Sequence, residues 1–177
     1  MMAFIDPHHS QRIEPVSAEL VKDTGYLVVN IDKASYTFLD RPVRWDNRIF
    51  QPKIELHITI ISQDAEKVLR ATAENAEMLA RVQNLVSHTD WRFHKLSDFY
   101  HIVETPGVET LIQMVALPAL PAFFEELSSL LGEHFHLPPT HVTLYTLGTE
   151  KGIGLPTRAV FEELTRSRVD PAAVLPV

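Results

Sequence analysis

Two short segments of this chain, Leu56-His57-Ile58-Thr59-Ile60 and Thr140-His141-Val142-Thr143-Leu144, share one pattern: a histidine and a threonine two residues apart among apolar or β-branched neighbours. Runs of this kind favour extended strands. Side chains alternate across a strand, so His57 and Thr59 share one face while Leu56, Ile58 and Ile60 take the other. By the same parity His141, Thr143 and Tyr145 share a face, with Val142 and Leu144 behind them. Each strand thus offers an imidazole and a hydroxyl in front and an apolar layer behind, which a helix can cover.

The two segments occupy corresponding places in a weak internal repeat, strand-helix-strand over residues 55–104 and again in outline over 109–147. An earlier strand is predicted at Gly25 to Asp32, from its β-branched and aromatic content. The spacing of Val68, Thr72, Ala76, Leu79, Val82 and Val86 predicts one long helix over about 65–87, with Ser62 or Asp64 as its cap. Trp91–Glu104 and Glu109–Leu117 read as strands joined by a turn at Thr105-Pro106-Gly107-Val108. A second helix is expected from Pro121 to Phe135, stopped by Pro138-Pro139, and a last one from Pro156 to about Arg168. Residues 1–24 are polar and Pro-punctuated and are expected to form an arm, leaving 25–177 as a single domain.

Composition narrows the chemistry. With 45% hydrophobic residues and 22% charged, the chain of 177 can bury a core and does not have a disordered composition. It has no cysteine, which excludes disulfides, thiolate nucleophiles and iron–sulfur clusters. Sixteen basic residues stand against twenty-three acidic ones, a formal charge of −7 that disfavours gripping long duplex nucleic acid by its phosphates. A locally basic pocket for a small phosphorylated ligand remains compatible with it. The first ten residues carry Asp6, Pro7, His8 and His9 where a secretory signal needs a basic start and an apolar run, and no stretch reaches the roughly 18 apolar residues of a membrane span. A cytoplasmic protein with no membrane partner, acting as a monomer, is expected.

Imidazole titrates near neutral pH and can give or take a proton, while a hydroxyl can donate to a non-bridging phosphoryl oxygen. One His-x-Thr strand is unremarkable. Two in matching places point to phosphate chemistry at His57, Thr59, His141 and Thr143.

These residues resemble the paired signatures of the 2H phosphoesterase superfamily, which includes 2′-5′ RNA ligase-like proteins and 2′,3′-cyclic nucleotide phosphodiesterases. The resemblance extends over about residues 25–170 in motif order, motif separation and the intervening helix, and rests chiefly on the two motifs. It implies an α+β fold of two pseudo-symmetric lobes, here approximately 25–104 and 105–170, whose antiparallel sheets flank a cleft with helices outside. It also implies that His57 and His141 are an acid/base pair and that Thr59 and Thr143 hold phosphate oxygens, without a metal or other cofactor. By analogy with family members that leave a 2′-phosphate, His57 is the acid and His141 the base; the opposite assignment would yield a 3′-phosphate. Ligation is the reverse of the same chemistry. RNA ends or small cyclic nucleotides are the implied partners, in RNA repair or processing.

The family pattern has a helix between the first strand and the first motif, but residues 33–53 read here as a Pro-rich loop. Its arginines Arg44 and Arg48 are candidate phosphate ligands and Trp45 a candidate base-stacking residue, while Arg41 adds charge and Phe50 is assigned to the core. Tyr145 is expected at the cleft by strand parity, and Lys151 could approach phosphate from the glycine-rich loop Gly148–Gly154. That loop lacks the endings of a P-loop or a dinucleotide-binding turn, and no Gly-x-Ser-x-Gly supports serine hydrolysis. His134 and His136 have a spacing that occasionally ligates metal, with no third ligand evident. The competing functions are a non-catalytic nucleotide-binding module using the same cleft and a metallohydrolase built on several histidines.

Overall fold

The computed structural model describes residues 12–174. In chain order, β1 (Ser17–Val21) and β2 (Tyr26–Ile31) form a hairpin, β3 (Val43–Trp45) and β4 (Arg48–Pro52) a second, and β5 (Leu56–Ile61) carries the first motif. Helices α1 (Ala65–Thr72) and α2 (Ala76–His88) lead to a long hairpin of β6 (His94–Thr105) and β7 (Val108–Ala116). Helix α3 (Leu120–Leu131) precedes β8 (His141–Leu147), which carries the second motif, and α4 (Arg158–Leu164), β9 (Thr165–Val169) and α5 (Pro171–Val174) follow.

The strands make two antiparallel sheets, one of order β1-β2-β5 and one of order β3-β4-β8-β7-β6-β9, in an α+β arrangement. The apolar backs of the motif strands, Ile58, Ile60, Val142 and Leu144, are buried in a single core with Leu27 and Val29 of β2, Val82 and Val86 of α2, and Phe123, Phe124 and Leu127 of α3. Burying side chains of this size contributes roughly 1.5–3 kcal/mol each. That shared core fixes both motif strands from behind. A second, smaller cluster of Ile102, Ile112, Ile153, Leu155 and Phe161 anchors the segment after β8. No helix among the described residues is long and apolar enough to cross a membrane.

Several elements differ from expectation for identifiable reasons. The 65–87 helix is two helices. It breaks at residues 73–75, where the Asn75 side chain accepts from the Met78 amide and caps α2. Helix α3 stops earlier than the Pro138-Pro139 pair, at Gly132, whose φ of 67° is the left-handed terminus glycine favours. The last predicted helix ends at Leu164, because Thr165–Val169 pairs with β6 as an edge strand. Part of the expected N-terminal arm, Ser17–Val21, pairs with Tyr26–Asn30 of β2; His8 and His9 lie outside the described residues.

The largest difference is at residues 40–53. They form the β3–β4 hairpin, with Asp46 and Asn47 both at positive φ (49° and 60°), the two-residue turn that matches the twist of paired strands. Gln51 and Pro52 then pair with Thr146 and Tyr145, so the hairpin extends the six-stranded sheet beside β8. The expected boundary near residues 104 and 105 falls within the β6–β7 hairpin, whose strands are neighbours in that sheet.

Candidate active site

Both motif strands lose register at the same place. Leu27 lies opposite Ile61 but Val28 opposite Thr59, leaving Ile60 as an extra residue in β5. Leu111 lies opposite Tyr145 but Ile112 opposite Thr143, leaving Leu144 as an extra residue in β8. Each bulge follows directly after the motif threonine. Bulges bend a strand and re-aim its side chains. Here they end the alternation that presents histidine and threonine together.

His57 and Thr59 from the three-stranded sheet and His141 and Thr143 from the six-stranded sheet line one cavity of about 460 Å³. Tyr26 and Val28 of β2 border it, Val28 being paired directly with Thr59. Lys53, Glu55, Ser62 and Lys151 contribute the remaining polar side chains. The loop after β8 closes one side, held by buried Ile153 and Leu155. Gly152 of this loop lies so close to the motif that a Cβ there would stand 2.9 Å from Thr143 Oγ1. Only glycine fits without displacing that hydroxyl. Gly148, at φ 70°, turns the chain out of β8 against the backbone of Gly107, where no side chain has room.

The imidazoles differ in their surroundings. His141 is half-buried, and its Nδ1 lies 2.8 Å from the Pro139 carbonyl oxygen. A carbonyl only accepts, so Nδ1 carries the proton and Nε2 of the neutral ring is left as an acceptor. Burial lowers the pKa of His141, the Pro139 carbonyl works in the opposite direction, and a charge on His57 lowers it further. His57 is more exposed. Its pKa is also lowered, by loss of water around the ring and by the Lys53 ammonium, against the opposing Glu55 carboxylate. The pair is electrostatically linked, so protonation of one disfavours protonation of the other.

Of the remaining expected residues, only Lys151 lines the cavity. Tyr145 is 2% exposed and belongs to the core. The bulge at Leu144 breaks the parity that would have kept it beside Thr143. Arg44 is exposed on β3 and does not border the cavity. Arg48 donates to the buried Glu109 carboxylate and, at 2.7 Å, to Asp46. Glu109 in turn holds buried His101 at 2.6 Å, and Trp45 packs on the His101 ring with centroids 4.6 Å apart. Arg48 and Trp45 therefore fasten the β3–β4 hairpin to β6 and β7. His134 and His136 pack on each other, and His136 binds Asp64 through its backbone amide at 2.8 Å and Nδ1 at 3.0 Å. Among the described residues no group of three or more His, Asp or Glu could hold a metal ion.

Lys53, Glu55 and Tyr26 join the cavity without belonging to either motif. Lys53 and Glu55 lie in the bend between β4 and β5, beyond the strand along which the parity of His57 runs, so no local pattern marks them. Tyr26 and Val28 required knowing that β2 pairs with β5.

Compared with protein-family models, curated proteins and solved structures, the chain matches none.

Proposed function

We propose that this protein is a two-histidine phosphoesterase of the 2H type, a bilobal member in which each sheet contributes one His-x-Thr strand to a common cleft. It opens 2′,3′-cyclic phosphates or 2′-5′ phosphodiesters of RNA ends or small nucleotides without a metal, as a cytoplasmic monomer in RNA repair or processing. One observation carries this reading: two imidazoles and two threonine hydroxyls, borne on different sheets, line one cavity. A binding site alone has no need of two proton-transfer groups.

In hydrolysis, water adds to phosphorus and the bond from phosphorus to the departing ribose oxygen breaks. One water proton passes to Nε2 of neutral His141, and protonated His57 supplies a proton to the departing oxygen. The Nδ1 contact of His141 supports its role as base by leaving Nε2 as acceptor. Thr59 and Thr143 hydroxyls donate to the non-bridging oxygens, where charge accumulates in the transition state. Lys53 and Lys151 add positive charge at the rim.

The test is incubation with the four nucleoside 2′,3′-cyclic monophosphates and a 2′-5′ dinucleotide, with product regiochemistry read by chromatography. Turnover is expected, with loss in both His57→Ala and His141→Ala. Near wild-type turnover in either variant would overturn the two-histidine mechanism. Ligand binding without turnover would favour a nucleotide-binding module, and loss of activity on dialysis against a chelator would favour a metallohydrolase.

A further inference from the structure

A second cavity, about 570 Å³, adjoins the His/Thr cavity, and Lys53 and Glu55 border both. Each space alone falls within the range of about 300–1,000 Å³ typical of small-ligand sites. Two such spaces side by side offer more room than a single mononucleotide-sized ligand needs. The second cavity lies where β4 pairs with β8, lined by Ile49, Gln51 and Ile54 and by Thr146, Leu147 and Thr149.

Three observations bear on its occupant. The described residues leave six large hydrophobic side chains exposed, and three of them, Tyr26, Ile49 and Ile54, border these two cavities. Apolar surface left open beside a polar site suits the faces of organic rings, while Gln51 and the threonines offer partners for ribose hydroxyls. Lys53 Nζ donates to the Glu150 carbonyl at 2.6 Å, which holds the ammonium at the shared border of the two cavities with two N–H groups to spare. Glu55 lies on the same border. One carboxylate beside one lysine suits the single charge of a phosphodiester better than a phosphate dianion.

We infer that the second cavity is a subsite for a second nucleoside, so that the substrate is at least a dinucleotide with Lys53 at the phosphate between the two halves. This rests on the proposed phosphoesterase reading and narrows its substrate class. Gln51, Ile49 and Ile54 set the preference, since they border this cavity and not the His/Thr cavity.

The experiment measures kcat/KM and, separately, equilibrium binding for adenosine 2′,3′-cyclic monophosphate, a 2′-5′-linked diadenosine, and a diadenosine ending in a 2′,3′-cyclic phosphate. The unsubstituted chain is compared with Gln51→Trp, which narrows the cavity with a bulky ring, and Ile54→Glu, which places a negative charge at an exposed position. A dinucleotide is expected to exceed the mononucleotide by about tenfold in kcat/KM and binding, and the two dinucleotides show whether the second nucleoside departs or stays. Both variants should remove the preference through KM while leaving mononucleotide turnover unchanged. Equal treatment of mononucleotide and dinucleotides by the wild type, or equal losses on all substrates in the variants, would overturn the subsite. If nothing turns over but dinucleotides bind about tenfold tighter and both variants abolish that advantage, the subsite stands and the hydrolase reading falls.

Discussion

Each motif residue has a separable signature. Thr143→Val keeps the side-chain shape and removes the donor; loss of one such donor lowers kcat by about 10²–10³-fold, measured as initial rates on a dinucleotide with a folded-state control by circular dichroism. Gly152→Ala places a methyl 2.9 Å from the same oxygen and is expected to lower kcat while leaving the fold intact, because the displaced group is the Thr143 side chain and not backbone. The pH dependence has a defined sign. Both imidazole pKa values are lowered, so the form with one ring protonated is populated at more acidic pH than for free imidazoles. The bell-shaped kcat/KM profile is expected to peak below about pH 6.5, the ordinary imidazole value. A peak well above that pH would mean that other groups carry the protons. Parity along a strand was enough to read His57 with Thr59 and His141 with Thr143. It failed at Tyr145, because a bulge is a property of two paired strands and β8 alone does not show it.

Among the elements, the β3–β4 hairpin uses its charged and aromatic side chains for packing. Its arginines and tryptophan resemble a nucleic-acid loop in composition, yet Arg48 and Trp45 close on Glu109 and His101 of the neighbouring hairpin. Arg48→Ala leaves a buried carboxylate with His101 alone and is expected to cost about 1–3 kcal/mol in denaturant unfolding, with KM for substrate unchanged. A large KM effect with no stability loss would return Arg48 to the binding site. The turn makes an independent prediction: Asn47→Val forces a β-branched residue to positive φ and should cost about 1–2 kcal/mol. Asp46-Asn47 between residues of alternating character is a hairpin signal, but the pairing of Gln51 and Pro52 with β8 depends on a partner nearly a hundred residues away.

For the whole molecule, three histidines, His57, His101 and His141, are harder to protonate when folded, with burial the leading cause for each. The unfolded chain therefore binds more protons below its imidazole pKa of about 6.5. Their contribution to stability is complete above that pH and is lost as pH falls through the lowered folded values. Asp64 acts in the same direction at more acidic pH: burial opposes its ionisation, but the His136 amide and Lys67 outweigh this and hold its carboxyl below the usual range. The thermal midpoint should fall steadily from pH 7 to pH 5, and His101→Gln should weaken that slope. The candidate residues are legible along the chain, because strand alternation and residue type are local and both motifs state them within five residues. Which of those residues meet depends on long-range pairing and packing. The cavity is made by two sheets whose strands come from distant parts of the chain, and register, bulges and the second space beside Lys53 arise from pairing across those distances, which no local pattern encodes.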